Sequence, residues 1–291
     1  MLGYALAAIV AIDLAIAFVP HMPSTPRALL YPETPFVALL KKTGGRVTGS
    51  AAIADWPLAA NAVPQLYGAG GIAIKHQHDY RKRTEDDPLL LRRSGSQLLL
   101  LKQEDIQGRF APLREVLRIE QVLPTGAILF YDSQAKGRAW MAYEARNVEK
   151  YSPEEVRSTE PILLEQGVPP PPLPPDKAPG SATIAPNETN TKITVTLDGV
   201  SKGILVLADA YFPGWEAKVD GNPAHVIAVD ALFRGVEVNE GATEIVFEYD
   251  PPLIKAGLAI TAASLAAVAI GCILLLPSTL RAARERKGWS L

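Results

Sequence analysis

The sequence predicts a membrane-anchored α+β protein in which two transmembrane helices flank a mixed α/β lobe and a small antiparallel β-sandwich. Three observations lead to this fold class. Apolar stretches lie near both ends of the 291 residues, a proline-rich run occupies residues 167–181, and six short strand patterns follow that run. Both lobes are expected outside the cytoplasm, between the two apolar stretches.

The first apolar stretch, residues 1–20, is predicted to be a transmembrane helix that the protein retains. A cleaved signal peptide begins with basic residues, whereas no Lys or Arg precedes Arg27. Asp13 lies within this stretch, and a carboxyl group at that depth is costly unless it faces protein or water. Asp13 therefore predicts neighbouring helices, supplied by a missing N-terminal transmembrane bundle or by a partner subunit.

The second apolar stretch, residues 254–276, is predicted to cross the lipid bilayer, the alternative being a buried helix of a soluble protein. It has no charged residue from Ala256 to Leu276. At about 1.5 Å per residue, this length is enough for a bilayer core of about 30 Å. Four basic residues follow, and such clusters mark the cytoplasmic side. They are Arg281, Arg284, Arg286 and Lys287.

This flanking pattern predicts the topology of the chain. Residues 277–291 are expected to be a basic cytoplasmic tail, and residues 21–253 are expected to be extracytoplasmic. ATP and NAD(P)H pools are absent outside the cytoplasm, so no cofactor is expected. Any chemistry there would use hydrolysis, lipid-linked donors or binding alone.

Composition narrows the possible functions further. The formal net charge is -2, which makes nucleic acid a poor candidate partner. Cys272 is the single cysteine, so no intrachain disulfide can form.

Residues 27–150 are predicted to form the mixed α/β lobe. Thr34-Pro35 has the character of a helix start. Residues 114–123 fit either a helix or a strand. Strand candidates lie at 98–101, 127–132 and 138–145.

Residues 151–190 are predicted to be a linker. Its proline run favours a stiff spacer, the alternative being a ligand for an SH3-type domain. Residues 191–252 then form the β-sandwich, because short strand patterns alternate with turn residues. The predicted strands are 192–198, 203–209, 215–219, 224–230, 234–238 and 243–250.

Residues 209–223, DAYFPGWEAKVDGNP, concentrate side chains that sugar chemistry uses. Asp209, Glu216 and Asp220 are candidates for the paired carboxylates of glycosidic chemistry. Asp220 precedes Gly221 at a predicted hairpin tip, however, where Asp is favoured because it tolerates positive φ. We therefore favour turn chemistry and predict no catalytic residue in this stretch.

The same stretch contains the aromatic residues Tyr211, Phe212 and Trp215. Such side chains stack on sugar rings at binding sites, but they also fill the corners of β-sandwiches. Packing is the favoured interpretation, with at least one of them resting against the neighbouring lobe or the lipid headgroups. Trp215 is kept as a candidate substrate contact.

The first lobe holds two further candidate sites. His76 and His78 would share one side of a strand, but no third metal ligand is evident, so a surface loop is favoured and no metal site is predicted. A basic cluster could meet the phosphates of anionic lipids or of a phosphorylated polymer, the alternative being ordinary solvation. Its residues are Arg81, Lys82, Arg83, Arg92 and Arg93.

One long segment runs from GILVLADAYFPGW at residue 203 through VDG and FRGV to FEYDPP at residue 252. It resembles the C-terminal region of bacterial YfhO-type membrane proteins, which implies a location in a bacterial cell membrane. Three upstream segments also follow the family pattern in order. They are YPETPFVALLKKTGGRVTG, LAANAVPQLYG and YDSQAKGRAWMAY.

The resemblance implies a role for the complete protein. YfhO-type proteins are polytopic and resemble GT-C glycosyltransferases, and members are implicated in moving sugars from a polyprenyl-phosphate donor to envelope polymers such as lipoteichoic acid. The catalytic carboxylate of GT-C enzymes lies in an N-terminal membrane bundle that is absent here, so no catalytic residue is transferred.

Two hypotheses follow for this chain. In the first, it caps the catalytic bundle and holds or selects the acceptor, which would be an envelope glycan or a polyprenyl-linked sugar. The candidate contacts are Tyr67, Arg81 and Trp215. In the second, the chain is a non-enzymatic, membrane-tethered scaffold that binds glycans or proteins.

Overall fold

The computed structural model describes residues 13, 33–43, 45–49, 75–152, 155–158, 161–186 and 188–287. Tyr31–Asp250 forms one compact unit, and the helix after Pro251 belongs to a second unit that is described separately below. The first predicted transmembrane helix, apart from Asp13, and the candidate contact Tyr67 lie outside the described residues.

The described residues form mostly β-strands, with few helices. The helices are α1 Pro35–Thr43, α2 Lys75–Asp86, α3 Gln103–Gln107 and α4 Pro252–Lys287, with short 3-10 helices at Pro88–Arg92 and Ala111–Leu113. The strands are β1 Val47–Gly49, β2 Leu98–Leu101, β3 Leu117–Val122, β4 Ile128–Asp132, β5 Ala139–Ala142, β6 Ala145–Asn147, β7 Ile162–Leu164, β8 Ser181–Ile184, β9 Lys192–Asp198, β10 Gly203–Ala210, β11 Trp215–Val219, β12 Asn222–Ala224, β13 Val226–Val229, β14 Phe233–Val238 and β15 Glu244–Tyr249.

The first sheet has four strands in the order β1-β2-β4-β3, with β1 and β2 parallel and the other pairs antiparallel. Strand β2, LLLL, is buried along its whole length because both faces of this sheet are covered. Leu98 shares an apolar core with Val37 and Leu40 of α1. Leu99 shares the core of the opposite face with Phe110.

Two larger sheets pack face to face as a β-sandwich. Their strand orders are β5-β10-β14-β13-β7-β6 and β12-β11-β15-β9-β8. Strands β6 and β7 pair in parallel, and the other pairs in these two sheets are antiparallel. Leu205 and Val236 of the first sheet share one buried core with Val195 and Phe247 of the second.

Strands from outside residues 191–252 complete both large sheets. Strand β5, which the sequence places in the first lobe, pairs with β10, and β8, which the sequence places in the linker, pairs with β9. The reason lies in β10, whose first six residues are buried, because a strand covered on both faces also needs a hydrogen-bonded neighbour on each edge.

The second face of the six-stranded sheet is covered by α2. Tyr80 of this helix meets Phe233 of β14 edge to face, with 5.1 Å between the ring centroids. Both residues belong to an apolar core that includes Trp140 and Ile204. The helical layer, the six-stranded sheet and the five-stranded sheet thus form three layers around two cores.

Several local predictions are confirmed. Helix α1 begins at Pro35, and five of the six strand patterns between 192 and 250 are single strands. The sixth, 224–230, is divided at His225 between β12 of the five-stranded sheet and β13 of the six-stranded sheet. The ambiguous residues 114–123 contain a strand, β3, which lies at the edge of the four-stranded sheet.

Helix α4 contains the stretch that is long and apolar enough to cross a membrane, Leu253–Gly271, with a mean hydropathy of 2.0. It is the single such helix among the residues that the structure describes. Since residues 1–12 and 14–32 are not among them, the arrangement of two flanking spans stays a prediction.

Candidate functional site

A buried carboxylate at the end of β10, Asp209, forms the centre of a charged cluster. The pairing of β10 with β14 shifts register between Leu207 and Ala210, so Asp209 lies in a β-bulge, a feature that redirects side chains. Asp209 accepts hydrogen bonds from three arginines. They come from Arg46 Nη2 at 2.5 Å, Arg138 Nε and Nη2 at 2.9 and 2.7 Å, and Arg234 Nη2 at 3.0 Å.

The cluster keeps Asp209 ionised. Burial raises the pKa of Asp209, but the hydrogen bond from Arg138 and the charges of Arg46, Arg138 and Arg234 outweigh burial and hold this pKa well below its ordinary value of 3.8. Both carboxylate oxygens are engaged by guanidinium groups. Asp209 can therefore neither donate a proton near neutral pH nor act as a free base, and its role is to compensate buried positive charge.

Three arginine charges surround the single negative charge of Asp209, and a second carboxylate, Glu188, offsets part of the remaining positive charge at the surface. Arg138 Nη1 donates to both carboxylate oxygens of Glu188 at 2.7 Å. Arg234 is deeper: burial lowers its pKa to about 10, against the opposing effect of Asp209. It stays a cation at neutral pH.

Trp215, a predicted substrate contact, belongs to this cluster. The guanidinium carbon of Arg234 lies 3.7 Å from the centroid of the Trp215 ring, within the range of a cation–π contact. Tyr249 lies on the neighbouring strand with 5.3 Å between the two ring centroids. One face of the Trp215 ring is therefore used inside the protein, as the packing interpretation predicts.

Arg46 connects the four-stranded sheet to the sandwich. Its Nη1 donates to the backbone oxygens of Ser94 and Ala208, at 2.7 and 2.5 Å, while its Nη2 binds Asp209. Arg46 directly precedes β1, whose residues Thr48 and Gly49 line a pocket. The cluster thus fixes the strand that forms one wall of this pocket.

The pocket has a volume of about 260 Å³ and a cationic lining. Arg81 and Arg109 contribute guanidinium groups, and the buried residues Thr48 and Thr84 contribute hydroxyl groups. The Arg109 guanidinium stacks 4.6 Å above the Phe110 ring, which is itself fully buried. Guanidinium and hydroxyl donors around a small cavity are the groups that recognise phosphate and carboxylate anions. The lining residues are Thr48, Gly49, Arg81, Thr84, Glu85, Leu91, Arg109 and Phe110.

The predicted basic cluster is divided by the fold. Arg92 and Arg93 face inward, where they pair with Asp132 and Asp230, each at 2.8 Å. Arg83 lies within 3.6 Å of Asp86 on the same helix. Arg81 alone of the five predicted residues lines the pocket.

The remaining candidates have other roles. Asp220 has φ 49° at the hairpin tip before Gly221, which confirms the predicted turn, and its carboxylate accepts from Thr243 N, Thr243 Oγ1 and Glu244 N. Glu216 is exposed on β11. The segment with His76 and His78 is part of α2 rather than a loop, because Lys75–Asp86 is a helix. Among the described residues, no three His, Cys, Asp or Glu side chains are grouped to hold a metal.

The sequence analysis missed the three arginines around Asp209. Each is a single cation next to an apolar strand: Arg46 before VTG, Arg138 before AWMA and Arg234 inside FRGV. A charged residue next to a buried strand needs a buried partner of opposite charge. This requirement could have indicated the cluster from the sequence.

Residues 181–261 match the protein family described as bacterial membrane protein YfhO. The match begins with β8, covers the rest of the five-stranded sheet, and ends inside α4. It includes Asp209, Trp215 and Arg234, whereas Arg46, Arg138 and the Arg81 pocket precede it. Searches of curated proteins and of solved structures gave no significant match.

Proposed function

Since residues 181–261 form a YfhO-type C-terminal region, we propose that this chain is the extracytoplasmic end of a polytopic YfhO-like protein that transfers sugars from a polyprenyl-phosphate donor to a cell-envelope polymer. In this proposal the chain caps the catalytic membrane bundle and binds the acceptor. The observation that carries it is the cationic pocket formed by Arg81 and Arg109.

The pocket suits a phosphate-containing acceptor. Its two guanidinium groups can form paired hydrogen bonds to phosphate oxygens, and the Thr48 hydroxyl adds a donor that does not depend on charge. The Thr84 hydroxyl donates its proton to Arg81 O at 2.7 Å, so it can only accept a hydrogen bond from a ligand. Two arginines against one carboxylate, Glu85, leave the lining with a positive net charge, which favours an anionic polymer over a neutral glycan.

The carboxylates of DAYFPGWEAKVDGNP are not available for bond breaking, which favours a binding role for this chain. Asp209 is neutralised by three arginines, and Asp220 is committed to the hairpin. The proposal therefore assigns catalysis to a membrane bundle outside residues 1–291. A purified chain that transferred sugar by itself would contradict this assignment.

The topology of the proposal follows from charge and continuity. Strand β15 ends at Tyr249 and leads through Pro251 into α4, whose apolar part is followed by the basic residues 281–287. With that basic end in the cytoplasm, the compact unit before α4 lies outside.

Acceptor binding can be tested with the full chain in detergent and a defined poly(glycerol phosphate) oligomer. We expect Arg81→Glu to weaken binding about tenfold or more, because it removes a phosphate partner and adds repulsion. Lys82→Glu is the matched control: it makes the same charge reversal at an exposed position on the same helix that does not line the pocket. Equal losses in the two variants would show that the effect is general electrostatics and would reject the pocket.

A scaffold function is the second candidate, and strand β3 supports it. This strand is at the edge of the four-stranded sheet, and it exposes Ile119 and Val122 by 58% and 61%. An open strand edge with apolar side chains can pair with a strand of another protein. Val122→Lys should abolish such a complex while leaving binding of the poly(glycerol phosphate) oligomer unchanged.

A further inference from the structure

We propose that the turn before β11, with Phe212 as its exposed aromatic, lies in the interface of the lipid bilayer and holds the sandwich against the membrane surface. This inference rests on the proposed function in one respect, namely that α4 spans the membrane. It adds a contact that the span itself does not require. The first observation is that 48% of Phe212 is exposed, although its neighbours Tyr211 and Trp215 are half-buried.

The position of this turn relative to the last strand is fixed by backbone hydrogen bonds. Asp250 N donates to Gly214 O at 2.8 Å. Directly beside it, Trp215 pairs with Tyr249 in the antiparallel register of β11 and β15. The turn therefore lies next to the end of β15, and Phe212 is two residues from the hydrogen-bonded Gly214.

Chain connectivity then limits the distance to the membrane. The apolar span begins at Leu253, three residues after Asp250. Three residues extend at most about 10 Å. Whatever direction α4 takes, the Gly214 backbone lies within about 15 Å of the residue that enters the bilayer. The headgroup region is about 5–8 Å thick on each side, so this limit keeps the turn close to the membrane surface.

The chemistry of the turn fits that depth. Phenylalanine is one of the apolar side chains that membrane-surface segments bury at the boundary between headgroups and acyl chains. Trp215 stacks on Arg234 and Tyr211 packs against the sandwich core, so neither side chain is available for insertion. The Phe212 side chain is exposed, and the neighbouring Pro213 restricts the backbone of the turn that presents it.

The opposite end of β11 provides a matched control position. The hairpin at Asp220 and Gly221 leads into Asn222, which is exposed. Strand β11 has five residues, so Asn222 is separated from the turn by roughly 17 Å along the strand. The proposal places Asn222, at the far end of the strand, in water, so this residue is the reference position for the test.

The test uses the full chain, reconstituted into phosphatidylcholine–phosphatidylglycerol vesicles, with Cys272→Ser removing the native thiol. Single cysteines introduced by Phe212→Cys and Asn222→Cys carry an environment-sensitive nitrobenzoxadiazole probe. We expect blue-shifted emission and quenching by spin-labelled lipids at position 212, about threefold or more above that at position 222. Equal, water-like emission at both positions would overturn the inference.

A third position separates this inference from the proposal on which it rests. Leu258 lies inside the apolar span and is exposed in the chain by itself. Strong lipid quenching of a probe introduced by Leu258→Cys, combined with no quenching at 212, would overturn the contact of the turn alone. Absence of quenching at 258 would instead reject the membrane span, and with it the proposed function.

Discussion

The guanidinium carbon of Arg234 lies over Trp215, 3.7 Å from its ring centroid, while Arg234 Nη2 binds Asp209 at 3.0 Å. Arg234 Nε and Nη1 are buried and have no hydrogen-bond partner among the described residues. The aromatic face therefore supplies part of the compensation that hydrogen bonds do not. Trp215 and Asp209, six residues apart in the chain, act together to hold one buried cation.

Replacing Asp209 by Asn should be strongly destabilising. The variant leaves Arg46, Arg138 and Arg234 without their shared carboxylate, and an uncompensated buried charge costs about 3–5 kcal/mol. Glu188→Gln is the control, because the exposed pair with Arg138 is worth only about 0–1 kcal/mol. Unfolding of the chain in detergent would measure both, and comparable losses would contradict the assignment of Asp209 as the centre of the cluster.

The pH dependence of stability should report the same carboxylate. The pKa of Asp209 is lowered in the folded protein, so its stabilising contribution is fully present above its ordinary value of 3.8 and is lost as pH falls through the folded value. We expect the difference in unfolding free energy between the parent chain and Asp209→Asn to be constant from about pH 8 to pH 5 and to shrink below about pH 4. A difference that shrinks already between pH 8 and pH 6 would show that another group controls it.

Two tight turns provide opposite tests of backbone strain. Asp230 and Ala231, between β13 and β14, have φ of 50° and 61°, and the Asp220–Gly221 turn has φ of 49° and 81°. Glycine occupies the second position in one turn and alanine in the other. Because positive φ is costly for alanine, Ala231→Gly should stabilise the protein by up to about 1 kcal/mol.

The converse change should have the opposite sign. A Cβ added at Gly221 meets nothing within 4 Å, so Gly221→Ala tests the backbone alone. It should destabilise by about 1 kcal/mol. Thermal unfolding of the two variants measures both effects, and a loss of stability in Ala231→Gly would show that packing of the methyl group outweighs the strain.

Local patterns were enough to predict most of the sandwich strands. Alternation in TEIVFEYD places Ile245 and Phe247 in the core, where both are fully buried, and Asp220-Gly221 forms the hairpin tip that its residue types favour. Both features depend on interactions within a few residues, so a single stretch of sequence contains their cause.

Long-range pairings could not be predicted in the same way. Nothing local in AWMA indicates that β5 lies beside β10, some sixty residues later, because a buried strand pattern does not specify its neighbour. The same holds for the Asp209 cluster, whose arginines come from three distant segments. Arg81 was predicted as a contact from its charge alone. The pocket that it lines also needs Thr48 and Arg109, which come from other parts of the chain.

The orientation of the compact unit can be measured with cysteine labelling in intact cells. Ser181 begins β8 and is exposed, whereas Ser290 lies in the basic tail. In a Cys272→Ser background, a membrane-impermeant maleimide should modify Ser181→Cys in intact cells and Ser290→Cys only after lysis. Both changes replace serine by cysteine, so a difference in labelling reports the location of the residue rather than its chemistry.

The expected orientation rests on the position of Arg281, Arg284 and Arg286 directly after the apolar span, since translocating such a cluster is unfavourable. Modification of Ser181→Cys only after lysis would reverse the topology and remove the acceptor-binding pocket from the compartment in which its polymer is proposed to lie.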